Sequence, residues 1–319
     1  MNKCTDVTIE GAYPLSGTLT WPTEKRNQYP AVLIIPGTGK LDRDGNDKKL
    51  QLNLYKDLAE FLTVLGFMTL RYDKRGIQKS GGNYYETGVH DLIDDACASV
   101  QFLQAYDQVD QQKIVILGHS EGAMIAPAVH HHTPVSGLIL LAGAAEPSKD
   151  LLLKQLEMVI EEIENTKGLK GWLYRVLKLS QKIKKQNKSL MKKINDSDEA
   201  VMRIRGAKIN AKWIRDQRHY NVCDYLPEVA CPVLAITGDK DLQVPPDHAE
   251  RIAEIVKGDS EWHLLPHVNH ILRHVTTHHT MLGLTKEYKK IIDHPIDDEL
   301  LSIIERWLTN RYLHTANEK

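Results

Sequence analysis

The sequence predicts an α/β fold with a mostly parallel central sheet, an N-terminal antiparallel hairpin and one inserted helical segment. Two observations lead to this prediction. Short apolar runs alternate along the chain with longer segments of helical periodicity, which is the pattern of parallel strands joined by crossover helices. The alternation fails once, between residues 147 and 224. A chain of 319 residues is long enough for one large domain that carries such an insertion.

The predicted strands begin with a hairpin and continue as apolar runs. Residues 6–21 alternate apolar and polar side chains around a break that contains proline and glycine, which is typical of two antiparallel strands at a sheet edge. The later runs are mainly apolar, as expected of strands buried on both faces of a parallel sheet. They are residues 31–35, 67–72, 113–117, 138–141, 233–237 and 262–265.

Helical patterns lie between these runs, at residues 50–65, 90–106, 249–256, 297–312 and directly after Ser120. The segment 147–224 is helical in pattern with no credible strand. We therefore expect a helical cap inserted into a core formed by residues 1–146 and 225–319. Residues 148–216 contain 17 Lys and Arg against 9 Asp and Glu, so positive charge is concentrated in the cap.

Composition excludes several classes of protein. The chain has 41 Lys and Arg and 42 Asp and Glu, which removes the general electrostatic basis for binding nucleic acid. No apolar run reaches the roughly 18–20 residues of a membrane span, and the first residues lack the apolar core of a signal peptide, so we expect a cytoplasmic protein. Four scattered cysteines without a C-x-x-C pair indicate reduced thiols. The sequence contains no glycine-rich phosphate-binding motif, so we expect no nucleotide cofactor.

The segment Gly118-His119-Ser120-Glu121-Gly122 carries the strongest chemical signal. It directly follows an apolar run and precedes a helical pattern, which is the strand-turn-helix setting of a G-x-S-x-G nucleophile elbow. Such a turn strains the serine, and side chains in place of the two glycines would collide with the neighbouring strand and helix. We therefore expect the serine hydroxyl to be exposed at the carboxyl edge of the sheet.

A nucleophilic serine needs a base to accept its proton and a carboxylate to orient that base. In this architecture the acid and the histidine follow the serine, on loops after later strands. We expect Asp241 rather than Asp239 as the acid, because the turn must run a few residues beyond the strand before a carboxylate can reach an imidazole. His270 is the expected base, with His267 and His274 as alternatives.

With these motifs the chain resembles the α/β-hydrolase family, in its bacterial serine esterase and acyl-hydrolase branch. Residues 238–245 match the family pattern G-x-x-D-x-x-V-P, and the resemblance places the acid at Asp241 and the base at His270. It implies the α/β-hydrolase fold over nearly the whole chain apart from the cap. An oxyanion hole requires two backbone amides, and we expect those of Glu121 and, in the loop after the early strand, Thr38.

Two further loops are similar to loops of the same family. Residues 71–76 and 79–80 resemble its D-x-R-G-x-G-x-S loop, with Ile-Gln at 77–78 in place of the usual I/V-G. Residues 42–46 resemble the D-R-D-G-N of this branch. We expect the latter to brace the oxyanion loop, with recognition of the acyl group as the alternative.

The histidine-rich segments are interpreted as solvated or core histidines. Their spacings form neither H-E-x-x-H nor a set of two histidines and a carboxylate on one helix face, so no metal is expected. The histidines in question are His130, His131, His132, His263, His267, His274, His278 and His279.

Two features of the cap remain open to more than one interpretation. An apolar stripe on its first helix is expected to face the acyl chain of the substrate, the alternative being internal packing among cap helices. The stripe is Leu152, Leu156, Val159, Ile160 and Ile163. The Lys-rich stretch that follows is interpreted as solvated surface, with selection of an anionic substrate or membrane adhesion as alternatives.

The sequence thus predicts a serine hydrolase that cleaves small or medium carboxylic esters through an acyl-enzyme, without cofactor or metal. Thioesterases, amidases and peptidases use the same triad and remain open. A non-catalytic binding protein on this scaffold is the alternative from another class, but such proteins typically lack a triad member and this sequence has all three. The expected partner is a small-molecule ester, and the oligomeric state is not predicted.

Overall fold

The strands confirm the predicted fold class. In a computed structural model that describes residues 3–277 and 280–313, they are β1 (Lys3–Ile9), β2 (Leu15–Trp21), β3 (Tyr29–Ile35), β4 (Met68–Tyr72), β5 (Val109–His119), β6 (Gly137–Leu141), β7 (Val201–Ile204), β8 (Ala207–Asn210), β9 (Val233–Gly238) and β10 (Ser260–Leu265). Eight of them form one sheet in the order β1-β2-β4-β3-β5-β6-β9-β10. The β1-β2 and β2-β4 pairs are antiparallel, and the other pairs of this sheet are parallel.

Helices lie on both faces of the sheet. They are α1 (Leu54–Leu65), α2 (Val89–Gln104), α3 (Glu121–His132), α4 (Ser148–Asn165), α5 (Gly168–Val176), α6 (Leu179–Asn195), α7 (Ala211–His219), α8 (His248–Ile255), α9 (Leu284–Lys290) and α10 (Asp298–Leu308). Because side chains alternate along a strand, Val32 and Ile34 of β3 belong to the core that contains α1, whereas Leu33 and Ile35 belong to the core that contains α2 and α3. All seven residues of β3 are buried, as predicted for the apolar run 31–35 within it.

The last strand departs from this pattern. The run 262–265 predicts burial on both faces, but Trp262 and Leu264 of β10 are 41% and 44% exposed, so this prediction was wrong. Among the described strands β10 pairs with β9 alone and forms one edge of the sheet. An edge strand is covered incompletely, which an apolar sequence alone does not reveal.

The insertion lies between β6 and β9, and an isolated bridge between Pro147 and Asn221 joins its two ends. Helices α4 to α7 make up most of it, as predicted, but the expectation that it contains no strand was wrong. β7 and β8 pair as an antiparallel hairpin whose turn residues, Arg205 and Gly206, have φ of 52° and 82°. Positive φ at both positions is the geometry of a two-residue hairpin turn. Strands of four residues are too short to give a distinct alternation in the sequence.

Two further observations concern the chain as a whole. None of the helices in the described ranges is long and apolar enough to cross a membrane. The four cysteines, Cys4, Cys97, Cys223 and Cys231, carry free thiols, and only Cys4 is exposed. The chain therefore does not depend on disulfide bonds to hold its fold.

Candidate active site

Ser120 lies at the sharp turn between β5 and α3. Its backbone has φ 55° and ψ −116°, a strained conformation for a residue with a side chain. The two glycines permit the turn, because a Cβ on Gly118 would lie 2.4 Å from the carbonyl oxygen of Gly122, and a Cβ on Gly122 would lie 2.1 Å from that of Ile35. The strand-turn-helix geometry of an elbow is thus present, and it holds Ser120 at the carboxyl edge of the sheet.

His270 and Asp241 form a hydrogen-bonded chain with Ser120. His270 Nε2 lies 2.9 Å from Ser120 Oγ, and His270 Nδ1 lies 2.7 Å from Asp241 Oδ2. The Asp241 side chain is fully buried, and its other oxygen accepts hydrogen bonds from the amides of Gln243 and Val244 at 2.8 and 3.0 Å. A carboxylate accepts, so Nδ1 carries the proton that it donates to Asp241. Nε2 is then the nitrogen able to accept the serine proton.

The alternative acid, Asp239, and the alternative bases, His267 and His274, make contacts away from Ser120. Asp239 accepts a hydrogen bond from the amide of His267 at 2.6 Å and pairs with Lys240 at 3.0 Å. The His267 ring packs against that of His274, with 5.5 Å between the centroids. His274 is half exposed and lies 3.6 Å from Asp297. Asp239 therefore braces the loop after β10, and none of the three reaches the serine.

The two residues expected to form the oxyanion hole both line the cavity that holds Ser120. Glu121 is the first residue of α3, so its amide has no partner within the helix. In the other loop the Gly37 amide is already engaged, because it donates to Tyr55 Oη at 2.6 Å. The next amide along the loop is that of Thr38. The loop runs close to Ser120, since a Cβ on Gly37 would lie 3.2 Å from the Ser120 Cβ.

His119, the residue before Ser120, links the loop after β3 to His270. Its Nε2 lies 2.8 Å from the carbonyl oxygen of His270, and its Nδ1 lies 3.0 Å from Tyr55 Oη. A carbonyl can only accept, so Nε2 carries the proton and Nδ1 accepts from the Tyr55 hydroxyl, which itself accepts from the Gly37 amide. Burial, together with the neighbouring His270, lowers the pKa of His119 to about 3. His119 is therefore neutral, as this chain of hydrogen bonds requires.

A buried ion pair joins the elbow to the cap. Lys74 Nζ lies 2.9 Å from Glu121 Oε2 and also donates to the Gly37 carbonyl at 2.6 Å. The second Glu121 oxygen accepts from Trp213 Nε1 and Gln217 Nε2 of α7, at 2.7 and 3.0 Å. Lys74 and Glu121 are 4% and 3% exposed. The Glu121 carboxylate of α3 thus connects to the cap directly and to the loop after β3 through Lys74.

Sequence reasoning gave no role in this site to four residues, Tyr55, Lys74, Trp213 and Gln217, although Lys74 lies in the family-like loop 71–76. Lys74 offered a signal, because it follows a buried strand at the carboxyl edge of the sheet, where ligands bind in open α/β folds. Tyr55 is one of many buried positions in a helical pattern. Trp213 and Gln217 belong to the cap, whose packing the sequence does not give.

The site opens into a mostly apolar cavity of about 450 Å³. Its lining includes Leu41, Leu50, Leu52, Leu54 and Ile271 from the core and Leu151, Leu152 and Trp213 from the cap. Ser148 also lines it, and the buried hydroxyl of this residue has no hydrogen-bond partner within the described ranges. Glu121 is the one acidic side chain among the described lining residues, and Lys74 neutralises it.

Helix α4 reaches this cavity with a different face from the one expected. Leu152 lines the cavity, but Leu156, Val159, Ile160 and Ile163 do not, so the prediction for these four was wrong. Ile160 and Ile163 are buried within the cap, where α4 packs against α5, α6 and α7. Only the first two turns of α4 reach the cavity, and their wall positions are Ser148, Leu151, Leu152 and Gln155. The predicted stripe is therefore mainly internal packing of the cap, which was the alternative interpretation.

The loop 42–46 is held by ion pairs. Arg43 pairs with Asp73 at 2.7 Å, and Asp44 pairs with Arg71 at 2.8 Å. Asp42 Oδ1 accepts hydrogen bonds from the amides of residues 44 and 46 at 3.0 and 2.9 Å. The charged groups of the loop are thus engaged with the protein itself, as expected of a brace.

The histidines do not assemble a metal centre in the part of the chain that the structure describes, where no three His, Cys, Asp or Glu side chains could hold an ion together. The rings of His131 and His132 pack against Tyr225. His278 and His279 lie outside the described residues.

The fold, the serine elbow and the adjoining imidazole and carboxylate define a hydrolase of the α/β class. The family model described as Hydrolase_4, serine aminopeptidase S33, matches residues 51–274. The chain belongs to this family.

Similar proteins agree with this assignment. Esterase EstD of Thermotoga maritima is 27% identical over 306 residues, which cover 95% of this chain and 66% of EstD, so the chain spans slightly less than two thirds of that relative. The α/β hydrolase GrgF of a Penicillium species has a TM-score of 0.63 at 14% identity, covering 98% of this chain and all of that one. Est1E of Butyrivibrio proteoclasticus, solved with ferulic acid bound, has a TM-score of 0.57 at 19% identity, covering 90% and 97%. The two structures support the fold.

Proposed function

We propose that the chain is a carboxylesterase in which Ser120 is the nucleophile, His270 the base and Asp241 the residue that orients the base. The observation that carries this proposal is the hydrogen-bonded chain of the three side chains, with distances of 2.9 and 2.7 Å. Ser120 Oγ attacks the ester carbonyl carbon while His270 Nε2 accepts its proton. The amides of Thr38 and Glu121 donate hydrogen bonds to the oxyanion.

The acyl-enzyme forms when His270 returns the proton to the leaving alcohol. A water molecule then attacks the acyl carbon, with His270 as its base, and releases the acid and the free serine. No metal or organic cofactor takes part in this scheme.

The cavity supports a neutral, largely apolar ester as the substrate. Its volume of about 450 Å³ fits a small or medium ligand. An aminopeptidase must bind the protonated amino terminus of its substrate, for which a carboxylate is the strongest partner. Glu121, the acidic group of the described lining, is already occupied by Lys74, Trp213 and Gln217. This favours an ester over a peptide, while a thioester would fit the same space.

We further propose that residues 147–224 act as a cap over a catalytic core of residues 1–146 and 225–319, since α4 and α7 both contribute to the cavity wall. The four free thiols fit a reducing compartment, and we assign the protein to the cytoplasm.

A fluorophosphonate probe, which reacts only with an activated serine, tests this function. We expect labelling at Ser120 alone, no labelling of Ser120→Ala, and wild-type labelling of Asp239→Asn, the matched control for Asp241→Asn. Turnover is measured in parallel on p-nitrophenyl esters, a thioester of the same acyl group and an aminoacyl p-nitroanilide. Faster turnover of the anilide would overturn the ester assignment. A protein that neither labels nor turns over any of these substrates would instead be a binding protein.

A further inference from the structure

Helix α5 exposes an apolar stripe to solvent. Its members are Leu169, Trp172, Leu173 and Val176, with Leu177 just beyond the helix, and they are 81%, 56%, 45%, 57% and 46% exposed. Spacings of three and four residues place them on one helix face. On the opposite side Gly171 is buried, and a Cβ there would lie 1.7 Å from the carbonyl oxygen of Thr166. The helix therefore packs inwards through its glycine and turns its apolar face outwards, the reverse of an ordinary amphipathic helix.

The same part of the cap is strongly basic. Residues 165–195 contain ten Lys and Arg and no Asp or Glu. In the described structure only Lys184 of these ten has an ion-pair partner, Glu164 at 3.9 Å. Helix α6, which packs against α5, buries Ile194 and exposes six lysines. The six are Lys182, Lys184, Lys185, Lys188, Lys192 and Lys193.

We propose that α5 and α6 dock the protein on an anionic lipid surface. Apolar side chains beside an uncompensated basic face are the two properties of a helix that lies in a membrane interface. The stripe of α5 enters the boundary between headgroups and acyl chains, where the ring of Trp172 is favoured. The lysines of α6 then lie against the negatively charged headgroups.

Charge favours an anionic lipid surface over a second copy of the chain and over a nucleic acid as the partner of this part of the cap. A second copy of the chain could cover the stripe, but a two-fold contact would bring the same basic surface against itself. A nucleic acid would pair with the lysines but would leave the stripe in water. Outside residues 148–216 the chain has 24 Lys and Arg and 33 Asp and Glu, so an anionic surface attracts the cap and repels the rest of the molecule.

The proposal stands apart from the proposed function. No residue of α5 or α6 is among the lining residues of the active-site cavity in the described chain. A failed esterase assay would therefore leave membrane docking intact, and a failed docking assay would leave the esterase assignment intact.

Flotation of the full chain with lipid vesicles tests the docking. We expect the protein to float with phosphatidylcholine vesicles that contain about one third phosphatidylglycerol, and to remain behind with pure phosphatidylcholine. Raising the salt to about 0.5 M should release most of the protein, because the lysines are then screened. Tryptophan emission should shift to the blue on binding, and this shift should be lost in Trp172→Ser.

Matched variants locate the docking surface. The cap variants are Trp172→Ser with Leu173→Ser, and Lys185→Gln with Lys188→Gln and Lys192→Gln. Two controls alter exposed residues outside the cap. One is Trp262→Ser, which removes an exposed tryptophan. The other combines Lys25→Gln, Lys48→Gln and Lys289→Gln, which removes three exposed lysines. We expect the three-lysine cap variant to partition about 100-fold more weakly and the apolar cap variant more than about tenfold more weakly, with both controls unchanged. Thermal melting should be the same for all four.

Several results would overturn the proposal. One is equal flotation with neutral and anionic vesicles, and another is cap variants that float like the controls. Dimers that Trp172→Ser abolishes, without any flotation, would assign the stripe to a second copy of the chain. Binding to a DNA duplex without flotation would assign the lysines to nucleic acid.

Discussion

The elbow around Ser120 and the outer cap, formed by α5 and α6, differ in whether their charged side chains are paired and their apolar side chains buried. At the elbow the ionisable side chains are buried and matched, His270 with Asp241 and Lys74 with Glu121. In residues 165–195, which contain α5 and α6, nine of the ten basic groups have no ion-pair partner in the described chain, and a stripe of apolar side chains meets water. An unpaired charge is costly where it is buried and nearly free where it is solvated. Pairing is therefore a requirement in the first region and unnecessary in the second.

This difference means that one kind of substitution has different effects in the two regions. Near Ser120 each side chain has several partners, so removing it leaves other buried groups unsatisfied. In α5 and α6, removal of an exposed side chain leaves no buried group without its partner.

The triad substitutions should have the largest effect. Ser120→Ala and His270→Ala should each lower kcat on a p-nitrophenyl ester by about 10⁴-fold or more, because triad members act as a unit. Asp241→Asn should cost a comparable factor, since the wrong tautomer of the base is then favoured. Asp239→Asn should cost far less. Retention of more than about a tenth of the activity in Ser120→Ala would contradict the site assignment.

Lys74→Met should destabilise the fold strongly, because it leaves the Glu121 carboxylate buried without a counter-charge. The expected loss in the free energy of unfolding is about 3–5 kcal/mol, measured by urea denaturation. Adding Glu121→Gln to this variant should restore part of the loss. Lys185→Met in the exposed face of α6 is the control and should change stability by less than about 0.5 kcal/mol. Similar losses for the two lysines would refute the contrast between the regions.

Tyr55→Phe should uncouple the oxyanion loop from the base. The Gly37 amide and His119 Nδ1 both lose their buried partner, and we expect a loss of about 1–3 kcal/mol in stability. Because the loop that carries Thr38 is then less well positioned, kcat should fall about tenfold with little change in KM. Tyr13→Phe, at an exposed tyrosine, serves as the control. An unchanged kcat would mean that the hydrogen-bonded chain has no positioning role.

Stability should fall as the pH is lowered below the ordinary histidine pKa, because of His119. Its folded-state pKa is lowered to about 3, so between pH 6.5 and 3 the unfolded chain binds a proton that the folded chain does not. The free energy of unfolding therefore rises with pH over this window, and the part due to His119 should be about 2 kcal/mol between pH 5 and 6.5. Urea denaturation at the two pH values measures the slope. His119→Gln should make it shallower, and an identical slope would contradict the assignment.

The smallest effect concerns the wall of the cavity. Leu152→Ala removes apolar contact with the acyl chain and should lower kcat/KM several-fold for an octanoate ester but hardly for an acetate ester. Leu156→Ala, one turn further along α4 and outside the lining, should affect both esters alike. If Leu156→Ala rather than Leu152→Ala changed the preference between octanoate and acetate esters, the acyl chain would lie along another part of α4.

Much of the fold, and the proximity of Ser120, Asp241 and His270, could be predicted from the sequence, because they depend on local order. Ser120 lies with its two glycines in five residues between an apolar strand and a helix, and that context alone favours an elbow. Asp241 and His270 follow later strands, whose carboxyl ends meet at one edge of a parallel sheet. Strand burial was predictable from the apolar runs in the centre of the sheet, but not at β10.

Contacts between distant segments were decided only by the tertiary structure. Tyr55, Lys74 and Trp213 come from three separate parts of the chain, and no periodicity indicates that they meet beside the nucleophile. The spacing of apolar residues in α4 and α5 defined one face on each helix, but not what that face contacts. Packing turned the stripe of α4 inwards against other cap helices and, through Gly171, turned the stripe of α5 out to solvent. The physical reason is that a helical period fixes the relative direction of side chains, whereas their environment depends on which other elements fill the space around them.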